Sequence, residues 1–339
     1  MCVKLTVICL AYNHELYIRK ALDSILMQKV NFDYEILIHD DASNDETAKI
    51  IGDYSQKFPN IVRPIFQVEN QYSKGKNILK EFIFKNIRGE YVAFCEGDDY
   101  WVDDRKLQKQ VDFLDENKDC TICFHPVKVI WENNKDKEND IFPLDIFRDI
   151  AMQLTFDRLK SVNFIQTNSV VYRWVLKGKE NLFPDNILPG DWFLHLLHAR
   201  EGKICLLNDV MAVYRRHSDS LWDNKNFYLR NGVQHLRFFM AVEKEFSYRN
   251  EVLINDVAIK TFSELLKNRS FEKIKSLFCE FSDLSDIIIN NLMVNRISHD
   301  DNQKLKLKKK KRRRKRLIVI LLFLILFFLD LYLLFVCFG

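Results

Sequence analysis

The chain opens with short apolar runs that alternate with segments of helical periodicity. Leu5-Thr-Val-Ile-Cys-Leu10 is a continuous run of strand length, the pattern of a strand covered on both faces. Ile18, Ala21, Leu22, Ile25 and Leu26 then recur at the spacing of one helix face. A second strand is predicted over Tyr34–His39 and is closed by Asp40-Asp41. Ser43 and Glu46 fit a capping box that opens a helix over Thr47–Tyr54. Ile61–Phe66 predicts a third strand, Ile78–Asn86 a third helix, and Tyr91–Phe94 a fourth strand bounded by Gly89. Such alternation implies an α/β domain with a mostly parallel central sheet flanked by helices. Further along, Thr121–Phe124 and Gln166–Arg173 predict strands. Val257–Leu266 and Phe271–Phe281 predict amphipathic helices in a helical region over residues 224–303.

The polar residues that matter lie where these strands end. In open α/β sheets ligands bind beyond the carboxyl ends of the strands. Tyr12-Asn13, Asp40-Asp41 and Glu96-Gly-Asp-Asp99 all follow predicted strands and are expected to meet on one edge of the sheet. The last of these holds three carboxylates in four residues. Like charges packed this closely repel unless a cation offsets them, and carboxylate oxygens suit Mg²⁺ or Mn²⁺. The plain alternative is an acidic turn in which Asp98 or Asp99 caps the next helix. No G-x-G-x-x-G follows the first strand and no G-x-x-x-x-G-K-[ST] occurs, which disfavours dinucleotide and P-loop sites. A nucleotide is still held if an aromatic ring stacks on its base and a carboxylate accepts a base N–H. Tyr12 and Asp41 are placed for those tasks, and Asp98 and Asp99 for ribose and metal.

Charge changes the picture at the far end. The net charge is +4, yet residues 304–316 hold eleven Lys or Arg and the stretch after them only Asp330. Setting these apart leaves residues 1–303 at about −6, a body with no general attraction for nucleic acid. Residues 317–338 are apolar apart from Asp330. At ~1.5 Å per residue they are long enough for the ~30 Å core of a bilayer. Basic flanks stay on the cytoplasmic side, so the expectation is a single-pass membrane protein with a C-terminal anchor, a polybasic juxtamembrane segment and a cytoplasmic body. Met1–Lys4 leads straight into the first strand, so no signal peptide is expected. Eight scattered cysteines in mostly apolar surroundings are expected to be reduced, buried thiols. Cys120 and Cys123 have only His125 nearby, too little for a zinc site, and are expected on a strand.

Several segments, in order, resemble the inverting, GT-A fold glycosyltransferases of family 2. They are Thr6–Asn13, Ala21–Gln28, Glu35–Thr47 with its D-D-x-S-x-D-x-T pattern, Asn70–Asn77, and Arg88–Trp101 with a D-x-D-like motif. The resemblance spans about residues 4–223 and implies a catalytic domain over 1–223. It implies a nucleotide site at Ala11, Tyr12, Asp41, Lys76 and Asp98. Glu96 and Asp98 would meet the donor sugar, and Asp99 would ligate Mn²⁺ or Mg²⁺. Glu96 stands at the first acidic position and departs from a strict D-x-D. In Leu188-Pro-Gly-Asp-Trp-Phe193, Asp191 matches the acidic general base, for which the plain alternative is a helix N-cap. Trp192 and Trp222 are candidate platforms for an acceptor sugar, and the Gln166–Arg173 strand is expected to line the acceptor side. Val213–Ser218 resembles a Y-R-x-H segment, so His217 would touch metal or diphosphate and Arg215 or Arg216 would neutralise phosphate. With no Q-x-x-R-W and one candidate span, the implied activity is transfer of a single sugar from a nucleotide-diphosphate sugar to a glycan or lipid-linked acceptor. Two alternatives stand beside it. A sugar-phosphate nucleotidyltransferase would carry a G-x-G-T-R-L pattern, which is absent. An inactive membrane-bound scaffold would have no need of Asp41, Asp98, Asp99 and Asp191 together.

Overall fold

The computed structural model describes residues 3–132, 140–143, 154–217 and 226–284. The basic run 304–316, the apolar stretch 317–338, Trp222 and most of the charged loop 132–140 lie outside the described residues. Among the described residues, no helix is long and apolar enough to cross a membrane. The chain divides into two units, Met1–Arg269 and Ser270–Gly339. Within the second, Phe271–Glu280 forms a helix, as its periodicity predicts.

The apolar runs of the N-terminal third become the middle of a seven-stranded sheet. β1 (Leu5–Ala11), β2 (Tyr34–Asp40), β3 (Val62–Phe66) and β4 (Tyr91–Phe94) pair in parallel, with β1 between β2 and β4 and β3 outside β2. Leu5, Val7, Ile8, Ile36, Ile38, Val92 and Ala93 are fully buried, as strands covered on both faces require. The helices α1 (Ile18–Leu26), α2 (Thr47–Lys57) and α3 (Lys106–Glu116) connect them or follow them. Beyond β4 the sheet turns mixed. β9 (Val171–Arg173) runs antiparallel between β4 and β6 (Cys120–Phe124), and β10 (Lys203–Leu206) pairs in parallel with β6 at the edge. A second sheet, unforeseen from the sequence, has the order β5 (Tyr100–Trp101), β11 (Ala212–Arg216), β7 (Val127–Trp131), β8 (Asp140–Phe142). It joins the acidic segment, through β5, to the strand that leads into His217.

Several expectations are corrected. Ser43 does not cap α2. Its hydroxyl donates to Asp40 Oδ1 and accepts the Asn13 N–H at 2.9 Å, so it ties two strand ends together, while Asp45 Oδ1 accepts the first helical N–H, that of Thr47. Ile78–Asn86 is not a regular helix but a π-helical turn (Leu79–Ile83) followed by a 3₁₀ turn (Phe84–Asn86). Asp98 and Asp99 cap no helix, since β5 follows them and α3 begins only at Lys106. Gln166–Arg173 is a 3₁₀ turn and a short strand rather than one strand. The cysteines are not all reduced: Cys120 is bonded to Cys205, joining β6 to β10, while Cys9, Cys95 and Cys123 are free and buried and Cys279 is free and exposed.

The first part of the helical region, up to Arg269, lies in the same compact unit as the sheet. After the short helix α4 (Phe156–Ser161), helix α5 (Gly190–Glu201) buries residues on all its faces, from Trp192 to Ala199. That is the mark of a helix enclosed by other elements. α6 (Phe227–Phe246) packs on it through Phe238 and Phe239 against Trp192, and Phe246 against Phe193. α7 (Glu251–Lys267) crosses α6 at Gly232, where an added Cβ would lie 2.1 Å from Thr261 Oγ1. Only glycine permits so close a crossing.

Candidate active site

The carboxyl ends of β1, β2 and β4 converge as expected. Asp41 N–H donates to the Ala11 carbonyl at 3.0 Å, and Gly97 N–H to the Leu10 carbonyl at 2.9 Å. These bonds fix the Tyr12, Asp41 and Glu96–Asp99 segments side by side. Gly97 is needed here because a Cβ would sit 2.7 Å from His14 Nδ1. Asn13 and Ala42, the residues after Tyr12 and Asp41, have φ of 55° and 61°. Such left-handed turns favour Asn and cost energy at Ala. They redirect the chain sharply at the sheet edge.

A cavity of about 780 Å³ opens there. Its walls include Ala11, Tyr12, His14, His39, Asp41 and Tyr72 on one side and Glu96 and Asp98 at the β4 end. Gln166, Thr167, Asp191, Trp192, His235 and Leu253 lie on the other. Asp41 is buried and its carboxylate accepts the N–H groups of Gln71 (2.8 Å) and Tyr72 (3.0 Å). Asp191 lies in the first turn of α5, whose N-cap is Pro189, so the residue is not itself the cap. Its Oδ2 accepts the Thr167 hydroxyl at 2.8 Å. Trp192 lines the cavity, but its ring packs 4.9 Å from Phe238 and its Nε1–H donates to the Leu159 carbonyl. Lys76 is exposed, with Nζ 3.4 Å from Glu81, and is not part of the cavity wall.

Glu96, Asp98 and Asp99 each bring a carboxylate oxygen within 4.8 Å of the others. Asp99 is buried. Its Oδ1 accepts the Arg215 backbone N–H at 2.9 Å, and its Oδ2 is buried with no hydrogen-bond partner. His217 is buried, with Nε2 3.2 Å from Asp98 Oδ2, and His14 Nε2 lies 3.8 Å from the same oxygen. The Arg215 guanidinium lies against the rings of Tyr17 and Tyr100 and pairs with Glu132, and its charge also acts on Asp99. An all-oxygen donor set with a desolvated, unpartnered carboxylate oxygen fits a hard divalent cation.

Electrostatics separates the acids. Burial, then the charges of Asp98 and Asp191, pushes Glu96 up to about 8. Burial with the Asp98 and Glu96 charges raises Asp99 well above the usual carboxylate range. Burial also acts upward on Asp98, but the His217 hydrogen bond and the two histidines outweigh it and hold this carboxyl low. The cluster thus behaves as one coupled unit with its negative charge centred on Asp98. Burial raises Asp191, against hydrogen bonds from Thr167 and backbone N–H groups. A carboxylate raised toward neutrality and held at a helix N-terminus is suited to accept a proton.

Sequence reasoning missed His14, His39, Tyr72, His235 and Leu253 as cavity residues, whereas Gln166 and Thr167 line the cavity as the Gln166–Arg173 segment was expected to. His14 adjoins a segment already singled out, and Tyr72 lies in the Asn70–Asn77 loop. His235 and Leu253 carry no local signal, because only the packing of α6 and α7 brings them to the cavity.

Known structures share this architecture. The crystal structure of Staphylococcus aureus TarS residues 1–349 in complex with UDP superposes with a TM-score of 0.55 at 20% identity, covering 78% of this chain and 72% of that one. The mannosyltransferase PcManGT of Pyrobaculum calidifontis, in complex with GDP-Man and Mn²⁺, superposes with a TM-score of 0.53 at 14% identity, covering 87% of this chain and 79% of that one. These likenesses define a GT-A-like fold. The family model for glycosyl transferase family 2 matches residues 6–222, and the chain belongs to that family. The uncharacterized protein Rv1520 of Mycobacterium tuberculosis is 43% identical over 235 residues, which are 67% of this chain and 64% of the relative's length.

Proposed function

We propose that the protein transfers a single sugar from a nucleoside-diphosphate sugar, with inversion, to a hydroxyl of a glycan or lipid-linked acceptor. The observation that carries this is the convergence of Tyr12 and Asp41, of Glu96 and Asp98, and of Asp191 on one cavity. Tyr12 and Asp41 hold the base, with the Ala11 segment beneath it. Asp98 faces ribose and sugar, and Glu96 the sugar. Asp191 takes the acceptor proton as the acceptor oxygen bonds to the anomeric carbon, while the bond from that carbon to the diphosphate oxygen breaks on the opposite face. Thr167 orients the Asp191 carboxylate for this step, and the buried α5 fixes its position. Mn²⁺ or Mg²⁺, held by Asp99 with Asp98 and Glu96, would supply positive charge against the departing diphosphate. His217 orients Asp98. Lys76 is given no role, because it is exposed and paired with Glu81.

The full chain in detergent should slowly release one nucleotide from a panel of UDP-, GDP-, dTDP- and CMP-sugars, and Mn²⁺ should speed the release. No release from any donor, with no nucleotide binding by calorimetry, would sink the transferase reading in favour of a scaffold. The proposal includes a membrane tether, supported by the sequence of residues 304–338, with the catalytic body in the cytoplasm. The chain should remain with membranes after an alkaline carbonate wash, and its release would remove the anchor from the proposal.

A further inference from the structure

The nucleotide side of the cavity has a feature that the family motifs do not contain. β2 lies between β1 and β3, with Ala11 in register with Asp40 and Asp40 in register with Phe66. Tyr12 follows β1, Asp41 follows β2, and the loop bearing Tyr72 follows β3. The two tyrosines therefore approach Asp41 from opposite flanks. Both line the same cavity, and each is 42% exposed. We propose that Tyr72 is the second wall of a slot for the nucleobase, opposite Tyr12, and that Asn231 on α6 holds it there. This rests on the nucleotide-sugar reading above.

Three contacts fix Tyr72. Its backbone N–H donates to Asp41 Oδ2 at 3.0 Å, beside the Gln71 N–H on Oδ1. Its turn closes through Gly75, whose φ of 75° suits glycine and whose N–H donates to the Tyr72 carbonyl. Its hydroxyl donates to Asn231 Oδ1 at 3.3 Å, and Asn231 is 6% exposed. A carboxylate oxygen accepts more than one hydrogen bond, so Asp41 still has capacity for a base N–H between the two rings. Asn231 lies outside the residues matched by the family model. It stands one helical turn before His235, which lines the same cavity. The helices beyond the family domain thus set the width of the base slot, and the ligand class they serve is a nucleoside diphosphate.

Calorimetry of the full chain with UDP, GDP and dTDP, followed by variants tested on the tightest of them, decides the matter. Tyr72→Ala should weaken binding about tenfold or more, the scale of one lost base–aromatic stack. Tyr72→Phe and Asn231→Ala keep the ring and the fold. Each should weaken binding a few-fold, and the double variant no further than either alone, because both remove one contact. Tyr72→Ala binding like the unmodified protein, or fully additive effects of Tyr72→Phe and Asn231→Ala, overturns the proposal. A protein that binds nucleotide, loses it with Tyr12→Ala and keeps it with Tyr72→Ala overturns this inference alone. If the unmodified chain binds none of the three and releases nucleotide from none of the sugar donors, the transferase reading falls with it.

Discussion

The two halves of the cavity are built on different principles. The half proposed to hold the donor comes from the ends of parallel strands within the first 99 residues, and bonds from backbone N–H groups hold its key residues: Gly97 to Leu10, Asp41 to Ala11, and Gln71 and Tyr72 to the Asp41 carboxylate. The half proposed to face the acceptor is assembled from side chains on separate elements. Thr167 comes from a 3₁₀ turn, Asp191 and Trp192 from α5, His235 from α6 and Leu253 from α7. Backbone-held geometry is fixed by strand pairing and admits little change. A wall of helix side chains can be rebuilt without disturbing the sheet. Under the proposed function, the strand ends would hold the donor, while the helices would serve both the base slot, through Asn231, and the acceptor side.

The largest expected effect separates the halves directly. Asp191→Asn should lower kcat about 10³-fold, on the scale of a lost general base, while nucleotide affinity by calorimetry changes less than about twofold. A comparable loss of nucleotide affinity would mean that Asp191 belongs to the donor side. Next in size, Asp99→Asn should cut turnover about 100-fold and raise the Mn²⁺ concentration needed for half-maximal rate. An unchanged metal titration would remove Asp99 from the ligand set.

A subtler probe is pH. Asp191 must be ionised to act as base, and burial raises its pKa, so kcat/KM should rise with pH across a limb above the ordinary carboxylate range. The Thr167 hydrogen bond acts downward on that pKa. Thr167→Val should therefore move the limb to higher pH without altering nucleotide affinity. A limb that stays in place would show that the profile reports another group, with Glu96 the first to test.

How much of this was legible in the sequence follows the same division. Strands covered on both faces read as unbroken apolar runs, so β1 to β4 and the chemistry at their ends stand out. The second sheet does not, because β5 is two residues long and pairs with β11 more than a hundred positions away. Cys120 and Cys205 are 85 residues apart, and no spacing rule links them. The periodicity of Ile78–Asn86 suggested a helix, but the chain there must pack Phe84 against Trp174 and Phe183, and it does so with mixed turns. Asp191 was found through its motif. His235 could not be, since a histidine in an amphipathic helix looks the same whether or not it faces a cavity.

The crossing of α6 and α7 offers a way to disturb the helical wall of the cavity without touching the sheet. Gly232→Ala places a methyl group against Thr261 and should destabilise the protein by about 1–3 kcal/mol, the usual cost of overpacking. Thr261→Ala should recover part of that loss. Because Asn231 adjoins Gly232 and braces Tyr72, the donor KM should rise together with the acceptor KM, and a rise in the acceptor KM alone would count against the proposed brace.

The smallest expected effect on catalysis concerns a lysine beneath the floor that both halves share. Lys106 is fully buried, donates to Gln110 Oε1 at 2.8 Å and lies 4.2 Å over the Trp101 ring. Gln110 donates to the Cys123 and Ser169 carbonyls, and Trp101 Nε1–H to the Asn168 carbonyl. These bonds tie β5 and α3 to the turn that carries Thr167. Burial lowers the Lys106 pKa from 10.5 to about 7. Between those values the unfolded chain holds a proton that the folded chain has released, so folding stability gains from this group as pH rises from about 7 toward 10.5. Below about 7 the folded protein must bury an ammonium, and the full penalty applies. Lys106→Met should remove that slope and raise stability at pH 6 by about 2 kcal/mol, with kcat changed less than about threefold. Denaturant melts across the pH range would show it. An identical slope in both proteins would mean that Lys106 keeps its proton, held by Gln110 and Trp101, and that the floor is braced by a charge.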